Sequence, residues 1–201
     1  VYEFSNNGYR VFLNYNKSSD EAEKIKNETG AVIVKADVSD SKQVNDMAEF
    51  IHTNYGKIDV IVNNAGISQQ KLFTDITEND WDRMFDVNMK SMYLVTKAFV
   101  DDMIYKQSGK IINISSMWGV TGGSCEVHYS AAKAAVIGFT KALAKELAPS
   151  NIQVNAIACG AIDTEMNHFL DEEERNALLE EIPAGRMGRA EEVGKLAYQL
   201  G

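Results

Sequence analysis

The feature that most constrains the fold is a regular alternation of short apolar segments with helical segments of ten or more residues. Apolar runs that lack strict polar alternation are typical of strands buried on both faces. Strands of this kind, joined by helices, form right-handed crossovers and a parallel sheet between layers of helices. The sequence therefore predicts a doubly wound, Rossmann-like α/β fold of three α/β/α layers, in a single domain over residues 1–201.

Turn and capping residues set the expected element boundaries. Asn7-Gly8 is typical of a helix end, Ser18-Ser19-Asp20-Glu21 is a plausible capping box, and Pro149 terminates a helix. We predict strands at 9–14, 31–36, 57–63, 110–115 and 153–158. We predict helices at 1–6, 18–30, 39–54, 78–106 and 129–148, and a helical lid at 165–181 that contains Asn167, Phe169 and Leu170.

Charge and cysteine usage exclude several classes of function. The net charge of -9 argues against broad affinity for nucleic acid or a membrane surface, because phosphate contacts need clustered Lys and Arg. No apolar run approaches the roughly 20 residues that span a bilayer. The two cysteines, Cys125 and Cys159, fit neither a disulfide framework nor a metal-ligand spacing, and the three histidines are scattered. We therefore expect a cytoplasmic protein with reduced thiols and no metal site.

Four separate stretches converge on one edge of the predicted sheet. In doubly wound folds ligands bind beyond the carboxyl ends of the strands. The stretches that follow predicted strands are Asp37-Val38, Asn64-Ala65-Gly66, Ser115-Ser116 and Cys159-Gly160. This edge is the expected binding site.

Tyr129 and Lys133 are the strongest candidates for acid/base chemistry. On a helix, residues four apart share a face, so the phenol and the ammonium point into one space. A nearby cation favours the phenolate, which brings the pKa of a tyrosine closer to neutral pH. Ser116, at the end of the preceding strand, would offer a hydroxyl to the same point. Taken alone, a Tyr and a Lys at this spacing also recur by chance.

Together these residues resemble the short-chain dehydrogenase/reductase family over essentially the whole chain. The matching motifs are Asn63-Asn64-Ala65-Gly66, Asn88, Ser116, Tyr129-x-x-x-Lys133 and the stretch 155–164. The segment from Ile182 to Val193 is especially similar to bacterial 3-oxoacyl-[acyl-carrier-protein] reductases. The resemblance implies NADPH-dependent reduction of a 3-oxoacyl thioester to the (3R)-hydroxy product in fatty-acid synthesis.

The sequence departs from the family pattern in three places. The glycine-rich turn after the family's first strand and the family's closing strand have no counterpart here, so we expect the chain to be part of a longer protein. Cys159 stands where the family usually has proline, which predicts a less rigid loop there. A non-catalytic cofactor-binding protein is therefore one alternative function. A relative acting on a free alcohol, sugar or steroid ketone is another.

The resemblance implies a role for each residue of the motifs. Tyr129 would be the general acid, and Lys133 would lower the pKa of Tyr129 and hold the cofactor ribose. Ser116 would donate a hydrogen bond to the substrate oxygen. Asn88 would fix a proton-relaying water, although an amide within a helix can instead satisfy a local carbonyl. Strand alternation turns the adjacent Ser115 away from the site.

The cofactor residues follow from the same resemblance. Asp37 and Val38 would contact the adenine, Asn64, Ala65 and Gly66 would lie along the adenosine ribose, and Ile162 and Thr164 would meet the nicotinamide carboxamide. The segment 14–18 contains Lys17 and no acid, whereas NAD-specific proteins place an acid there. This predicts NADP(H), although Lys17 could instead be a solvated loop lysine.

The remaining expectations concern the substrate and its partners. Met117 and Trp118 either line the substrate pocket or pack the loop. An acyl carrier protein is acidic, so its docking needs cations near the entrance. The candidates are Arg186, Arg189, Lys106 and Lys110.

By resemblance we also expect a homotetramer built on helix 78–106 and the small-residue helix that begins near Ser130. The alanines of that helix could instead pack on the sheet.

Overall fold

The computed structural model describes residues 1–164 and 171–201, in which helices and strands alternate along the chain. The strands are β1 (Phe12–Tyr15), β2 (Val32–Lys35), β3 (Val60–Asn63), β4 (Gly109–Ser116), β5 (Ile152–Cys159), β6 (Ile162–Asp163) and β7 (Gly188–Arg189). The helices are α1 (Tyr2–Asn6), α2 (Ser19–Thr29), α3 (Ser41–Tyr55), α4 (Glu78–Phe85), α5 (Ser91–Lys106), α6 (Trp118–Thr121), α7 (Val127–Leu147), α8 (Glu172–Glu181) and α9 (Ala190–Leu200).

All strand pairings in the described residues are parallel, which confirms the predicted α/β class. The pairings form three groups, β1-β2, β3-β4-β5 and β6-β7, rather than the one continuous sheet expected from the sequence. One edge of β3 has no strand partner in the described part of the chain, and Val62 on this strand is 39% exposed. The register sets Ser116 opposite Cys159, so β4 and β5 end side by side.

One hydrophobic core joins the first two groups of strands. Ile61, Ile111 and Val154 from β3, β4 and β5 pack with Met47 of α3 and Met103 of α5. Partly buried side chains of β1 and β2, Phe12 and Val34, pack against the same cluster. Burial of these apolar side chains holds both groups of strands against the helical layer.

A ladder of buried polar side chains crosses the middle of this core. The Asn63 amide nitrogen donates to Asn113 Oδ1 at 2.8 Å and to Thr96 Oγ1 at 3.1 Å. The Asn113 amide nitrogen donates to Thr140 Oγ1 at 3.0 Å, and Thr140 Oγ1 donates to the Val136 carbonyl at 2.7 Å. These bonds tie β3 and β4 to α5 on one side and to α7 on the other. A fully paired network of this kind specifies one arrangement of its elements.

Several element boundaries differ from the sequence prediction. The first strand begins at Phe12 rather than Tyr9, and α7 begins at Val127, two residues before the predicted start. The predicted helix over 78–106 contains a π-helical turn at Asp86–Lys90 between α4 and α5. Sequence reasoning did not anticipate α6, α9, β6 or β7. Elements α6, β6 and β7 have only two to four residues, too few to show a hydrophobic period. Helix α9 does carry that signal, with apolar side chains at Val193, Leu196, Ala197 and Leu200.

The predicted lid is only partly within the described residues. Helix α8 covers its second half, and Asp171 caps that helix by accepting a hydrogen bond from the Glu174 backbone N–H at 2.8 Å. Asn167, Phe169 and Leu170 lie outside the described residues.

The buried ladder predicts a specific loss of stability. Asn113→Leu should lower the free energy of unfolding by about 2–3 kcal/mol, because Asn63 and Thr140 would each lose a partner in a buried site. Urea denaturation of the two proteins measures the difference. The control Asn54→Leu removes an exposed amide that donates only to the Phe50 carbonyl, and should change stability by less than about 0.5 kcal/mol. Equal stability of the Asn113 variant and wild type would contradict the role of the ladder.

Candidate functional site

The candidate site lies at the carboxyl ends of the central strands. Ser116 ends β4, and Tyr129 and Lys133 lie on the first turns of α7, which packs along β4 and β5. The turn that follows β3 places Gly66 next to Asn88 and Lys133. A Cβ atom on Gly66 would lie 2.7 Å from Asn88 Oδ1 and 3.4 Å from Lys133 Nζ. The structure thus brings together the four residues that the sequence indicated for catalysis.

Ser116 and Tyr129 contact each other directly. Their side chains form a hydrogen bond that favours the ionised phenol, and both are buried, with Tyr129 9% exposed. The Trp118 backbone N–H donates to Ser116 Oγ at 3.2 Å, which holds the oxygen and leaves the hydroxyl proton for the phenol or for a substrate. Ser115 faces elsewhere and donates to the Lys133 carbonyl at 2.8 Å. The family's spacing to the tyrosine selects Ser116, and the contacts of Ser115 agree with the expectation that strand alternation turns this side chain away.

Lys133 is a buried cation held close to the phenol. Its ammonium donates to the Ile114 carbonyl at 3.0 Å and lies 5.7 Å from the centroid of the Tyr129 ring. Burial lowers the pKa of Lys133 to about 8, with the nearby Cys159 thiol acting in the opposite direction. The lysine is therefore mostly charged at neutral pH but loses its proton more easily than an exposed lysine.

The expected effect of Lys133 on the pKa of Tyr129 is not what the structure gives. Burial raises the pKa of Tyr129, and the hydrogen bond from Ser116 only partly opposes this change. Glu126 and Cys159 raise the pKa of Tyr129 further through their charges. The prediction of a lowered pKa was wrong because it weighed the cation alone and omitted desolvation, which acts against the charged form. A raised pKa keeps the phenol protonated at neutral pH.

Asn88 lies in the π-helical turn and is fully buried. Its Oδ1 accepts from the Ile67 N–H at 3.2 Å, and its Nδ2 donates to the Ile67 carbonyl at 2.9 Å and to the Met84 carbonyl at 3.1 Å. The amide thus satisfies a local carbonyl, as the alternative reading expected, and also clamps the turn that follows β3. A role in proton relay stays a prediction.

The predicted adenine-binding residues lie at the same edge, after β2. Asp37 Oδ1 accepts hydrogen bonds from the Ser39 backbone N–H at 2.9 Å and from Ser39 Oγ at 2.5 Å, and Arg83 lies 3.8 Å from Oδ2. These contacts hold the pKa of Asp37 below its ordinary value, with Asn16 as a further hydrogen-bond partner. Val38 packs against the main core. Asp37 is therefore ionised at neutral pH.

The other predicted cofactor residues are placed by three different elements. Lys17 is exposed, two residues beyond β1. Asn64 and Ala65 are exposed in the turn after β3. Ile162 lies in β6, opposite Gly188 of β7, and a Cβ atom on Gly188 would meet the Ile162 side chain at 2.7 Å. Thr164 Oγ1 makes a long contact of 3.5 Å with the Ile162 carbonyl.

A nicotinamide dinucleotide fits the residues that are present. Gly66 has no side chain, so the backbone after β3 lies close to Asn88 and Lys133, and Asn64, Ala65 and Lys17 are exposed beside strand ends where a ligand can reach them. No group of three or more metal-ligating side chains occurs in residues 1–164 and 171–201. Among the same residues, no helix is long and apolar enough to cross a bilayer.

Sequence reasoning missed two neighbours of the site, Glu126 and Gly119, and did not foresee the effect of Cys159 on the two pKa values. The Cys159 thiol is close enough to Lys133 and Tyr129 to act on the pKa of each, a proximity that follows from the register of Ser116 and Cys159. Glu126 is half-buried, and burial raises its pKa. Gly119 of α6 lies against the α7 backbone, since its Cβ would come within 2.7 Å of the Lys133 carbonyl oxygen.

The two side chains after Ser116 differ in their surroundings. Trp118 packs against the cluster of Met84, Tyr129 and Ala132, and a Cβ on Gly123 would touch its ring at 3.0 Å. Met117 is 39% exposed. Trp118 therefore packs the loop, and Met117 is the side chain left available to a substrate.

The four cations predicted to receive an acidic partner do not form one patch. Lys110 is the second residue of β4 and donates to Gln153 Oε1, and Lys106 pairs with Asp59 just before β3. Both lie at the amino ends of the strands, about 20 Å from Ser116 at 3.3 Å per residue, so their predicted place at the entrance was wrong. Arg186 and Arg189 both contact Glu192, and Arg186 does so with two nitrogens at 2.7 and 2.8 Å.

Comparison with known proteins places this geometry in a family. The short chain dehydrogenase family model matches residues 1–175. The chain is 44% identical over 163 residues to 3-oxoacyl-[acyl-carrier-protein] reductase of Thermotoga maritima, covering 81% of this chain and 66% of that protein. It is 43% identical over 181 residues to the reductase of the same name from Aquifex aeolicus, covering 89% of this chain and 73% of that protein.

A relative with a different name is equally similar. Nodulation protein G of Azospirillum brasilense is 43% identical over 162 residues, covering 81% of this chain and 66% of that protein. The chain thus spans about two thirds to three quarters of the length of these relatives. The family model matches most of the chain, Ser116 is a hydrogen-bond partner of Tyr129 and Lys133 lies beside the phenol ring, so the chain belongs to the short-chain dehydrogenase/reductase family.

Proposed function

We propose that this protein is an NADP-dependent oxidoreductase that reduces a 3-oxoacyl-[acyl-carrier-protein] to the (3R)-hydroxyacyl form in fatty-acid biosynthesis. The observation that carries the proposal is the contact of Ser116 with Tyr129 beside the buried Lys133 ammonium, in a family of dehydrogenases. Relatives at 43–44% identity that are named for this reaction support the choice of substrate.

The chemistry of the site suits proton delivery to a nascent alkoxide. Tyr129 is protonated at neutral pH because burial raises its pKa, so it can donate a proton as the ketone oxygen gains charge. Ser116 donates a hydrogen bond to the same oxygen, and the Lys133 ammonium stabilises the phenolate that forms. The nicotinamide, when bound, supplies the hydride. Asn88 keeps the turn after β3 against Lys133.

The predicted cofactor residues support NADP(H). The exposed Lys17 ammonium would contact a 2'-phosphate, and the ionised Asp37 and the backbone of Val38 would bind the adenine. Asn64, Ala65 and Gly66 would lie along the ribose, Lys133 and Tyr129 would contact the ribose nearest the reaction, and Ile162 and Thr164 would meet the carboxamide.

An acyl carrier protein is the proposed partner, and the arginines near α9 are the cations that could receive it. Arg186 and Arg189 share Glu192, so an acidic partner would have to compete with that carboxylate.

We also propose a homotetramer in the cytoplasm. The exposed side chain of Tyr93 on α5 and the exposed Gly138 of α7 offer surface for contacts between helices.

Reduction of another ketone is the second candidate function. It is favoured by the equal identity of a relative named Nodulation protein G, since identity at this level does not by itself select one substrate. Comparing kcat/KM for an acetoacetyl thioester with kcat/KM for free ketones separates the two candidates. A protein that binds NADPH but turns over none of them would instead be a non-catalytic cofactor-binding protein.

The proposed acid role predicts that Tyr129→Phe loses turnover but keeps its cofactor. We expect kcat for acetoacetyl thioester to fall about 100- to 10,000-fold, the usual effect of removing a general acid. NADPH oxidation is followed by absorbance, and NADPH binding, followed by fluorescence, should weaken by no more than about tenfold, the effect of one lost hydrogen bond to the ribose. The control Tyr105→Phe alters a phenol that is 82% exposed and should retain full activity. Normal turnover by the Tyr129 variant would reject the mechanism.

The proposed phosphate contact predicts a change of cofactor preference in Lys17→Glu. The ratio of kcat/KM for NADPH to that for NADH should fall roughly ten- to a hundredfold, because a hydrogen bond to a charged group is lost and a repulsion is gained. Lys24→Glu, an exposed change of the same charge on α2, is the control and should leave the ratio unchanged. An unchanged ratio in the Lys17 variant would show that this lysine is only solvated.

The burial of the Lys133 ammonium, which the proposed reaction needs, predicts a lower free energy of unfolding at neutral pH. The pKa of Lys133 is about 8 in the folded chain and 10.5 when exposed, so the unfolded chain binds more protons between these values and stability rises with pH across that interval. Lys133→Met should be inactive yet more stable than wild type at pH 7, by on the order of 1–3 kcal/mol. The difference should shrink towards pH 10.

Urea denaturation at pH 7 and pH 10 measures this effect. Lys141→Met, on an exposed part of the same helix, is the matched control and should be as stable as wild type at both values. A Lys133→Met protein that is less stable than wild type at pH 7 would contradict the cost of burying the charge.

A further inference from the structure

The turn of helix that carries Tyr129 has no side-chain cap of its own. Helix α7 begins at Val127, and its N-cap residue, Glu126, makes no side-chain hydrogen bond to the first turn. Uncapped first turns fray, because their N–H groups have no partner within the helix. Tyr129 is the third residue of α7, so contacts from elsewhere in the chain must hold it.

The loop after β3 supplies such contacts. The Lys71 N–H donates to the Cys125 carbonyl at 2.7 Å, and Gln70 forms a hydrogen bond with Glu126. These bonds hold the segment that leads into α7, but neither reaches into the helix beyond its cap.

Gln69 of the same loop reaches His128, the second residue of α7. His128 Nε2 lies 3.0 Å from Gln69 Oε1, and Gln69 Nε2 donates to Asp80 Oδ1 at 3.2 Å. Asp80 Oδ2 also accepts from Lys71 Nζ at 2.6 Å and from the Thr77 hydroxyl at 2.7 Å, and these bonds hold the pKa of Asp80 well below its ordinary value. The four side chains Lys71, Asp80, Gln69 and His128 form one hydrogen-bonded chain.

The charge of Asp80 fixes the protonation of His128. An ionised carboxylate only accepts hydrogen bonds, so the amide nitrogen of Gln69 must face Asp80 and the amide oxygen must face His128. His128 Nε2 must therefore carry the hydrogen. Burial lowers the pKa of His128, with Asp80 opposing and Lys71 reinforcing that change, so the imidazole is neutral at pH 7.

If His128 only filled space, an apolar side chain would do so at a lower cost in free energy. His128 is fully buried, and its Nδ1 has no hydrogen-bond partner among the described residues. An unpaired polar atom in a buried site costs free energy that an apolar side chain would avoid. What the imidazole adds in return is the single hydrogen bond from Nε2 to Gln69.

We propose that His128 is a positioning residue, whose Nε2–H donates to Gln69 and thereby anchors the first turn of α7, with Tyr129, to the loop after β3. Asp80 sets the direction of this hydrogen bond by orienting the Gln69 amide, and Lys71 and Thr77 hold Asp80 in place. The consequence for catalysis rests on the acid role proposed above for Tyr129. The anchoring itself does not.

Hydrogen exchange tests the anchoring without reference to activity. In His128→Leu the amide hydrogens of Ser130 and Ala131, near the start of α7, should exchange about three- to tenfold faster, as expected for loss of one hydrogen bond. His128→Gln can place an amide N–H near the same position and should restore slow exchange. Gln69→Leu breaks the chain from a half-exposed loop position and should match His128→Leu.

The matched control is His52→Leu. His52 also pairs with a carboxylate, Asp102, at 2.7 Å, but it joins α3 to α5 away from the site. This variant should leave exchange at Ser130 and Ala131 unchanged. The double variant His128→Leu with Gln69→Leu should exchange no faster than either single variant, because both changes remove the same interaction.

Steady-state kinetics supply the second readout. His128→Leu should lower kcat about ten- to a hundredfold through misplacement of the phenol, with KM for the cofactor nearly unchanged, and His128→Gln should recover most of kcat. Unchanged exchange in His128→Leu overturns the proposal, as does equally fast exchange in the Leu and Gln variants or in His52→Leu. Faster exchange in His128→Leu, together with full activity of Tyr129→Phe, would instead reject the proposed function and leave the anchoring intact.

Discussion

One residue, Lys133, ties helix α7 to the end of strand β4, and the rest of the site depends on that tie. Its backbone carbonyl accepts a hydrogen bond from Ser115, and its ammonium donates to the carbonyl of Ile114 on the same strand. Gly119 allows α6 to lie against the same backbone carbonyl, where a side chain would collide. Because backbone and side chain of Lys133 are both engaged, the helix can neither slide nor rotate relative to β4 without losing buried hydrogen bonds.

The electrostatics of the site follow from this burial. A lysine and a tyrosine at the surface would titrate near their ordinary values, but here desolvation lowers the pKa of Lys133 and raises the pKa of Tyr129. Both shifts favour the neutral forms. The hydrogen bond from Ser116 to the phenol acts against this trend, so it favours ionisation of Tyr129 at the moment when the phenol gives up its proton.

The hydrogen bonds around the site mainly hold its helices and turns in fixed positions. Asn88 clamps the turn at Gly66, and the ladder of Asn63, Asn113 and Thr140 fixes α7 against the sheet from the other end. The hydrogen bonds from Asp80 through Gln69 to His128 connect the loop after β3 to the first turn of α7, whose N-cap residue makes no side-chain hydrogen bond. Sites built on several rigid elements keep their groups within the small tolerances that proton transfer needs.

The sequence by itself determined the α/β class, most of the central elements and the edge of the sheet where the site lies. It did so because buried strands, helix caps and strand-terminating glycines leave local patterns. The choice of Ser116 over Ser115 came from the family's spacing to the tyrosine, and strand alternation indicated only that the two side chains point in opposite directions. Only the tertiary structure decided the direction of the pKa shift of Tyr129, the distance of Lys106 and Lys110 from the site, and the contacts of Asn88 and His128. Those properties depend on desolvation and on partners far apart in the chain, which no local pattern records.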